Sequence, residues 1–364
     1  MLAEPLLPHP SRVGALKRRS ACIIASLVCL NCIAIGVLLI TGLRFPRIVG
    51  LGILAYSFGL RHAVDADHIA AIDNVTRKLL RNEKPSLLVG FYFSLGHSSV
   101  VTAMTILAMV SSSYIQEHME ATSAIGAVVG TLLSAALLFL IGLINLISAL
   151  DILRNRRKRS PGSGSVQTEN THDGEKGSMT VPSDSSGGVQ INGIVTRCCP
   201  AIFNAVDFEG KMYGVGFLFG LGFETSSEVA LLALAATAPS TQTPTACALL
   251  LPALFAAGMS LIDTIDGVMM FWAYSWSASQ PGGRECYNLF LTSVSSIIAI
   301  IIGIIEVLGC IQHELQLDGT FWEGIEAIND NFEYVGYSII GFFAVSAAAA
   351  AAVWATRTHH GGEV

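Results

Sequence analysis

Histidine and aspartate are concentrated in one short apolar part of the sequence. Residues 61–68 read Arg-His-Ala-Val-Asp-Ala-Asp-His, which places His62, Asp65, Asp67 and His68 within seven positions. Imidazole nitrogens and carboxylate oxygens at one depth form a site of intermediate hardness, which suits a divalent first-row metal. The alternative is an internally neutralised Arg–Asp–His network that only holds helices together. Because ionisable groups are costly in an apolar segment, so many in so few residues favour the metal site.

Three further apolar segments carry side chains that fit the same chemistry. They contribute one histidine and four acids, which are His97, Glu224, Glu228, Asp263 and Asp266. The acids are paired at spacings of four and three residues, and no Lys or Arg stands among them. On a helix such pairs repel each other unless a cation or a shared proton intervenes. A transported cation, or protons, would supply the missing charge.

The elements that must position these residues are membrane-spanning helices. A helix needs about 20 apolar residues to cross the hydrocarbon layer. Such runs occur at residues 21–42, 48–73, 86–110, 123–150, 213–238, 246–274, 288–311 and 334–356. The sequence therefore predicts an all-α, polytopic membrane protein with about eight transmembrane helices.

The composition supports this class and excludes others. Charged residues make up 13% of the 364 residues and apolar residues 52%, and the mean hydropathy is +0.58, whereas an ordinary soluble domain is about 25% charged. A nucleic-acid-binding domain would need a basic surface, and no G-x-x-x-x-G-K-[ST] motif for a nucleotide is present. The eight cysteines are scattered through apolar stretches, which does not indicate a disulfide framework.

The second span is predicted to be one continuous helix over 48–73. At about 100° per residue, His62, Asp65 and Asp73 then share one face, and His68 lies about 60° beyond Asp65. Asp67 and Asn74 point roughly the other way. In the third span, Gly96 and Ser98 flank His97 and are small enough to allow close helix approach.

The distribution of Lys and Arg sets the orientation. With both termini cytoplasmic, 18 of the 21 basic residues fall on the inner side, among them Arg77, Lys78 and Arg81. Only Arg44 and Arg47 fall outside. Because Lys and Arg are enriched in cytoplasmic loops, we expect both termini to be cytoplasmic.

The same reasoning divides the chain into five parts. We expect a cytoplasmic tail at 1–20, helices 1–4 at 21–150, a cytoplasmic linker at 151–212, helices 5–8 at 213–356 and a second tail at 357–364. Residues 160–190 are rich in Ser, Gly, Thr and Asp with almost no large apolar side chains. Such a segment cannot build a core, so it is predicted to be disordered.

The segments that carry these residues show a faint repeat. Phe-Gly-Leu at 58–60 and at 219–221 each precede an acid nine positions after the Phe, and Gly-His-Ser at 96–98 corresponds to Gly-Met-Ser at 258–260. The paired spans run in opposite directions. This is the pattern of an inverted repeat, which in many transporters has the site at its interface.

Four motifs together resemble the signatures of the nickel/cobalt transporter (NiCoT) family. They are Arg61-His-Ala-Val-Asp-Ala-Asp-His68 continued to Asn74, then 95–101, 221–228 and 258–267. They occur in order, in the expected spans, from about residue 20 to 356. The resemblance implies a secondary transporter for high-affinity uptake of nickel(II) and cobalt(II), which are substrates and not bound cofactors. Eight spans and cytoplasmic termini are also implied.

The resemblance also assigns roles to individual residues. It implies that His62, Asp65, Asp67 and His68 form the core of metal recognition, with His97 close by. Glu224, Glu228, Asp263 and Asp266 would complete the pathway or couple it to protons. Supporting roles are expected for Arg61, Asp73, Asn74, Ser98, Thr225, Ser260 and Thr264. Glu224 stands where the family usually has Asp, and Ser99 where it often has Thr.

Alternatives remain open at this point. The same site would serve nickel or cobalt efflux, an intramembrane metalloenzyme with an open metal position, or an organic-solute transporter with a proton relay. No H-E-x-x-H motif supports the enzyme. The long linker suggests a fungal member, for which the plasma membrane is the first expectation and an organelle the second. The expected partners are divalent metal ions and the lipid bilayer, with neither nucleic acid nor nucleotide.

Overall fold

A computed structural model describes residues 10–81, 84–110, 128–147, 149–150, 153, 207–222, 247, 249–278 and 284–360. Every regular element in these ranges is a helix. The helices are α1 Pro10–Arg44, α2 Arg47–His62, α3 Ala66–Arg81, α4 Val89–Val110, α5 Val128–Ile147, α6 Met212–Phe219, α7 Leu250–Ala278, α8 Arg284–Leu315, α9 Thr320–Asn329 and α10 Phe332–His360. A 3₁₀ turn at Glu209–Lys211 leads into α6.

Four of these helices, α1, α5, α7 and α8, are long and apolar enough to cross a membrane. A shorter apolar helical stretch covers Phe332–Ser346 in α10. Their outward faces carry large apolar side chains, such as Leu43, Ile40 and Ile301, which suits contact with lipid. The expected all-α, multi-pass membrane class is confirmed, whereas the count of eight spans and the position of the termini remain predictions.

The second predicted span is not one helix, so the face assignments made for it are wrong. The chain leaves α2 at His62, turns through Ala63–Asp65 and starts α3 at Ala66. The amides of Val64 and Asp65 bond to the carbonyls of Arg61 and His62, which closes tight turns instead of continuing the helix. α3 then runs on to Arg81, beyond the predicted end of the span.

Two helix pairs pack through glycine in the same way. In α2 against α7, Gly59 lies on the backbone of Phe255, and Gly258 lies on the backbone of Tyr56 and Leu60. A β-carbon at either glycine would collide with that backbone. Small residues therefore bring these two helices into direct backbone contact.

The second pair, α6 against α4, repeats this arrangement. Gly216 lies on the backbone of Phe93, and Gly96 lies on the backbone of Tyr213 and Phe217. The glycine follows the phenylalanine by three residues in both α4 and α7. This shared packing supports the predicted repeat. The packing also changes the alignment of the two halves of the repeat. In the structure Gly59 corresponds to Gly216, whereas the sequence match pairs Gly59 with a residue about one turn after Gly216.

Candidate metal site

Three buried histidines from three helices converge on one point. His62 ends α2, His68 lies in the first turn of α3 and His97 lies in α4, and none is more than 2% exposed. One ring nitrogen from each lies within 4.8 Å of the others. The Nε2 atoms of His62 and His97 are 3.0 Å apart. The sequence predicted these three residues to act together, and the structure brings them together.

The break between α2 and α3 makes this convergence possible. On a continuous helix, residues six positions apart point about 120° away from each other. After the turn at Ala63–Asp65, the ring centroids of His62 and His68 are instead 4.7 Å apart. Ala63 and Ala66 are almost fully buried at this turn, and the carbonyl of Val64 packs against Gly336 of α10.

The spacing of the ring nitrogens fits a single metal ion. Two nitrogens that each lie about 2.1 Å from one ion at a right angle are about 3.0 Å apart. This is the separation between His62 Nε2 and His97 Nε2. Right-angle coordination by nitrogen and oxygen is typical of nickel(II) and copper(II). His68 Nε2 has no hydrogen-bond partner among the described residues, so it is available as the third ligand.

Two carboxylates lie beside the Nδ1 atoms of these rings. Asp65 Oδ2 lies 3.0 Å from His62 Nδ1, and Asp263 Oδ1, from α7, lies 3.5 Å from His68 Nδ1. Both carboxylates are buried. A carboxylate beside the second nitrogen of a metal-binding histidine fixes the tautomer and raises the basicity of the ligand. Asp65 and Asp263 are therefore placed to orient the rings.

Phenylalanine rings enclose the histidines. Phe93 packs edge-on against His68, with the centroids 4.8 Å apart, and Phe255 lies 5.8 Å from His62. Neither phenylalanine is exposed. The apolar shell limits access of water, and such a shell controls the dielectric around a metal site.

The remaining predicted acids of this region are Asp67 and Asp266. Asp67 lines a cavity together with His62. Asp266, on α7, is 4% exposed, and neither of its carboxylate oxygens has a hydrogen-bond partner in the described part of the chain. It is close enough to Asp73 and Asp263 for their charges to act on it.

Asp73 belongs to a buried polar network and not to the histidine cluster. It accepts hydrogen bonds from Arg77 Nη2 at 2.5 Å, from Tyr274 OH at 2.5 Å and from Ser295 Oγ. Arg77 also donates to the Leu291 carbonyl at 3.1 Å. The network joins α3, α7 and α8. Arg77, which was counted among the charges of the inner side, therefore lies in a helix with its side chain buried instead of in an exposed loop.

Most of the predicted supporting residues connect helices or bond to their own helix. Asn145 of α5 donates to Asn74 Oδ1 at 2.8 Å, and Ser98 Oγ lies 3.8 Å from Met259 Sδ. Ser260 and Thr264 donate to carbonyls within α7. Arg61 pairs with Glu333 of α10 at 2.9 Å. Glu224, Thr225 and Glu228 lie outside the described residues.

Sequence reasoning missed Glu306, which lies on α8 and is 7% exposed. Ser134 of α5 donates a hydrogen bond of 2.9 Å to its Oε2. Glu306 lines the same cavity of about 330 Å³ as His62 and Asp67. The available signal was a single acid within the apolar run 288–311, because ionisable residues in spans usually mark a pathway.

Comparison with known proteins identifies a family and several relatives. Residues 48–353 match the model of the NicO family, described as high-affinity nickel-transport protein. The chain is similar to a high-affinity nickel transport protein of Cupriavidus necator, at 41% identity over 88% of this chain and 87% of that protein. It is similar to the nickel transporter NixA of Staphylococcus aureus, at 39% identity over 91% and 93% of the two chains.

A cobalt transport protein is also similar. NhlF of Rhodococcus rhodochrous is 34% identical over 90% of each chain. No solved structure matches the chain significantly.

Proposed function

The chain belongs to the NicO family of high-affinity nickel-transport proteins, and on that basis we propose that it takes up nickel(II) and cobalt(II) through the buried histidine site. In this proposal His62, His68 and His97 bind the cation. Asp65 and Asp263 orient the rings, and Asp67 lines the cavity through which the ion reaches them. Glu224, Glu228 and Asp266 complete the pathway or couple it to protons.

One observation carries the proposal, namely the convergence of three buried imidazoles whose nitrogens lie within 4.8 Å of one another. Converging imidazoles of this kind bind nickel(II) and cobalt(II) well, whereas they suit magnesium and calcium poorly. The relatives named for nickel and for cobalt support both ions as substrates. An intramembrane enzyme would transform a substrate, whereas the family is described as a nickel-transport protein.

The cavity beside His62 supports uptake as the direction. Its mouth is formed by exposed residues of the 312–333 segment, such as His313 and Asp330, and its floor includes His62. From the distribution of Lys and Arg we expect that segment to lie outside the cell. In this orientation the histidines are reached from the outside, as an importer in the plasma membrane requires.

The proposal is tested by accumulation of ⁶³Ni at trace concentration in cells that express the full chain. Wild-type cells should gain nickel, and His68→Ala should reduce the gain by about tenfold or more, since a metal ligand is lost. His360→Ala, at the end of α10, is the matched control and should transport like the wild type. Immunoblots of the membrane fraction show that each variant is present in equal amount.

Three outcomes would overturn the proposal or part of it. Nickel loss from wild-type cells would reverse the direction to efflux. Equal accumulation with His68→Ala would remove the histidine site. No nickel movement in either direction would favour an organic-solute transporter or an enzyme over a metal transporter.

A further inference from the structure

A cavity lined by both polar and apolar residues links the histidine site to the surface. It has a volume of about 330 Å³ and extends from exposed residues of α9 and its flanks down to buried groups on α3, α5 and α8. Neither Lys nor Arg is among its described lining residues. Among the described lining residues, the buried end of the cavity therefore carries two acids, Asp67 and Glu306, and no Lys or Arg.

Glu306 is the deepest acid of this cavity. Its Oε2 accepts the hydrogen bond from Ser134, which holds the carboxyl group in position. Its Oε1 is buried and has no hydrogen-bond partner among the described residues. A carboxyl oxygen that is buried without a partner costs free energy, so the site is incomplete without a further group.

Asp67 presents a second oxygen of the same kind. Its Oδ1 is also buried without a hydrogen-bond partner in the described ranges. Asp67 and Glu306 line the same cavity, so their charges repel each other when both are ionised. Repulsion between two carboxylates is relieved by a cation between them. Asp67 directly precedes His68, so a cation held here lies beside the histidine cluster.

We propose that Glu306 and Asp67 form a second divalent-cation site, which a metal ion occupies before it reaches the three histidines. The inference rests on the proposed function, because it gives that transport pathway its entry site. The Ser134 hydroxyl positions Glu306. Carboxylate and water oxygens suit a partly hydrated ion, and the imidazoles then select nickel or cobalt as the ion sheds its water.

The first test compares Glu306→Gln with Glu314→Gln in full-length protein. Both changes remove one charge from α8, but Glu314 is exposed and lies outside the cavity lining. Initial rates of ⁶³Ni uptake should show an increase in KM of about tenfold for Glu306→Gln, with the maximal rate retained at high nickel. Glu314→Gln should match the wild type. Equal KM values for the two variants would overturn the proposal.

A second test does not depend on transport. Purified full-length His68→Ala, which lacks a ligand of the histidine site, should still gain thermal stability from added NiCl₂ through the Glu306 site, because bound metal stabilises the folded state. His68→Ala/Glu306→Gln should lose that shift, and His68→Ala/Glu314→Gln should keep it. The same shift in all three variants would overturn the proposal. If wild-type cells moved no nickel, the proposed function would fail, and this test would still decide the cavity site.

Discussion

Arg77 and Asp73 form a buried ion pair one helical turn apart on α3. Arg77 Nη2 lies 2.5 Å from Asp73 Oδ2, and both side chains are almost fully buried. Tyr274 completes the network, because its hydroxyl accepts from Arg77 at 2.7 Å and donates to Asp73 at 2.5 Å. Nine residues separate His68 from Arg77, or about 13 Å of helix. The pair therefore lies about two and a half helical turns along α3 from His68.

Removing the positive charge of Arg77 should destabilise the fold. Arg77→Leu leaves the Asp73 carboxylate buried without its counter-charge, and breaking a buried pair in this way costs about 3–5 kcal/mol. We expect a lower thermal unfolding temperature of the purified chain and less protein in the membrane. The double variant Arg77→Leu/Asp73→Asn removes both charges and should recover part of the loss. If the single and double variants unfold at the same temperature, the ion pair does not explain the stability.

Asp65 should control the affinity of the histidine site without being essential for folding. Asp65→Asn keeps the size of the side chain but removes the charge that lies 3.0 Å from His62 Nδ1. Loss of such a partner lowers metal affinity by about 10–100-fold. Nickel titrations of the purified chain should show this decrease, with an unchanged unfolding temperature in the absence of metal. Asp318→Asn, an exposed position, is the control and should bind nickel like the wild type.

Close packing of α4 on α7 should be required for transport. A β-carbon at Gly90 would collide with the backbone of Asp263 and Thr264, so Gly90→Ala must push α7 away and move Asp263 relative to His68. We expect a lower unfolding temperature together with a loss of ⁶³Ni uptake. Gly341→Ala on α10 meets no atom within 4 Å and should preserve both. Equal behaviour of the two variants would contradict the packing argument.

The Ser/Gly-rich part of the predicted linker should be replaceable. Residues 160–190 lack the apolar side chains that a packed element requires, so a flexible Gly/Ser spacer of equal length should act as the same tether. Nickel uptake by the replaced chain should stay within about twofold of the wild type. Loss of uptake by a variant that still reaches the membrane would assign the segment a further role.

The sequence predicted the histidine cluster but not how it forms. His62, His68 and His97 were identified because ionisable residues stand out in apolar spans. A straight helix over 48–73 could not have brought His62 and His68 together, and nothing in the residue types of Ala63–Asp65 marks a break as Pro or Gly would. The turn depends on packing, since the carbonyl of Val64 meets Gly336, which lies 272 residues later in the chain.

For Glu306 and Arg77, sequence reasoning missed the structural role of the residue itself. Glu306 is an isolated acid without a motif, so sequence reasoning passed over it, and only the contact with Ser134 and the shared cavity give it a role. Arg77 fitted a cytoplasmic loop by charge alone. Its burial follows from Asp73, Tyr274 and Ser295, which come from three different helices.

The sequence by itself determined the class of protein, the apolar helices and the types of side chain in the candidate metal site. These properties follow from local composition, because a lipid-spanning helix needs a long apolar run and tolerates few charges. Tertiary structure decided which of the polar residues meet, that Asp73 pairs with Arg77, and that a cavity leads past Glu306 to His62. Such contacts join residues far apart in the chain, and they are fixed by the packing of helix on helix, which no local pattern encodes.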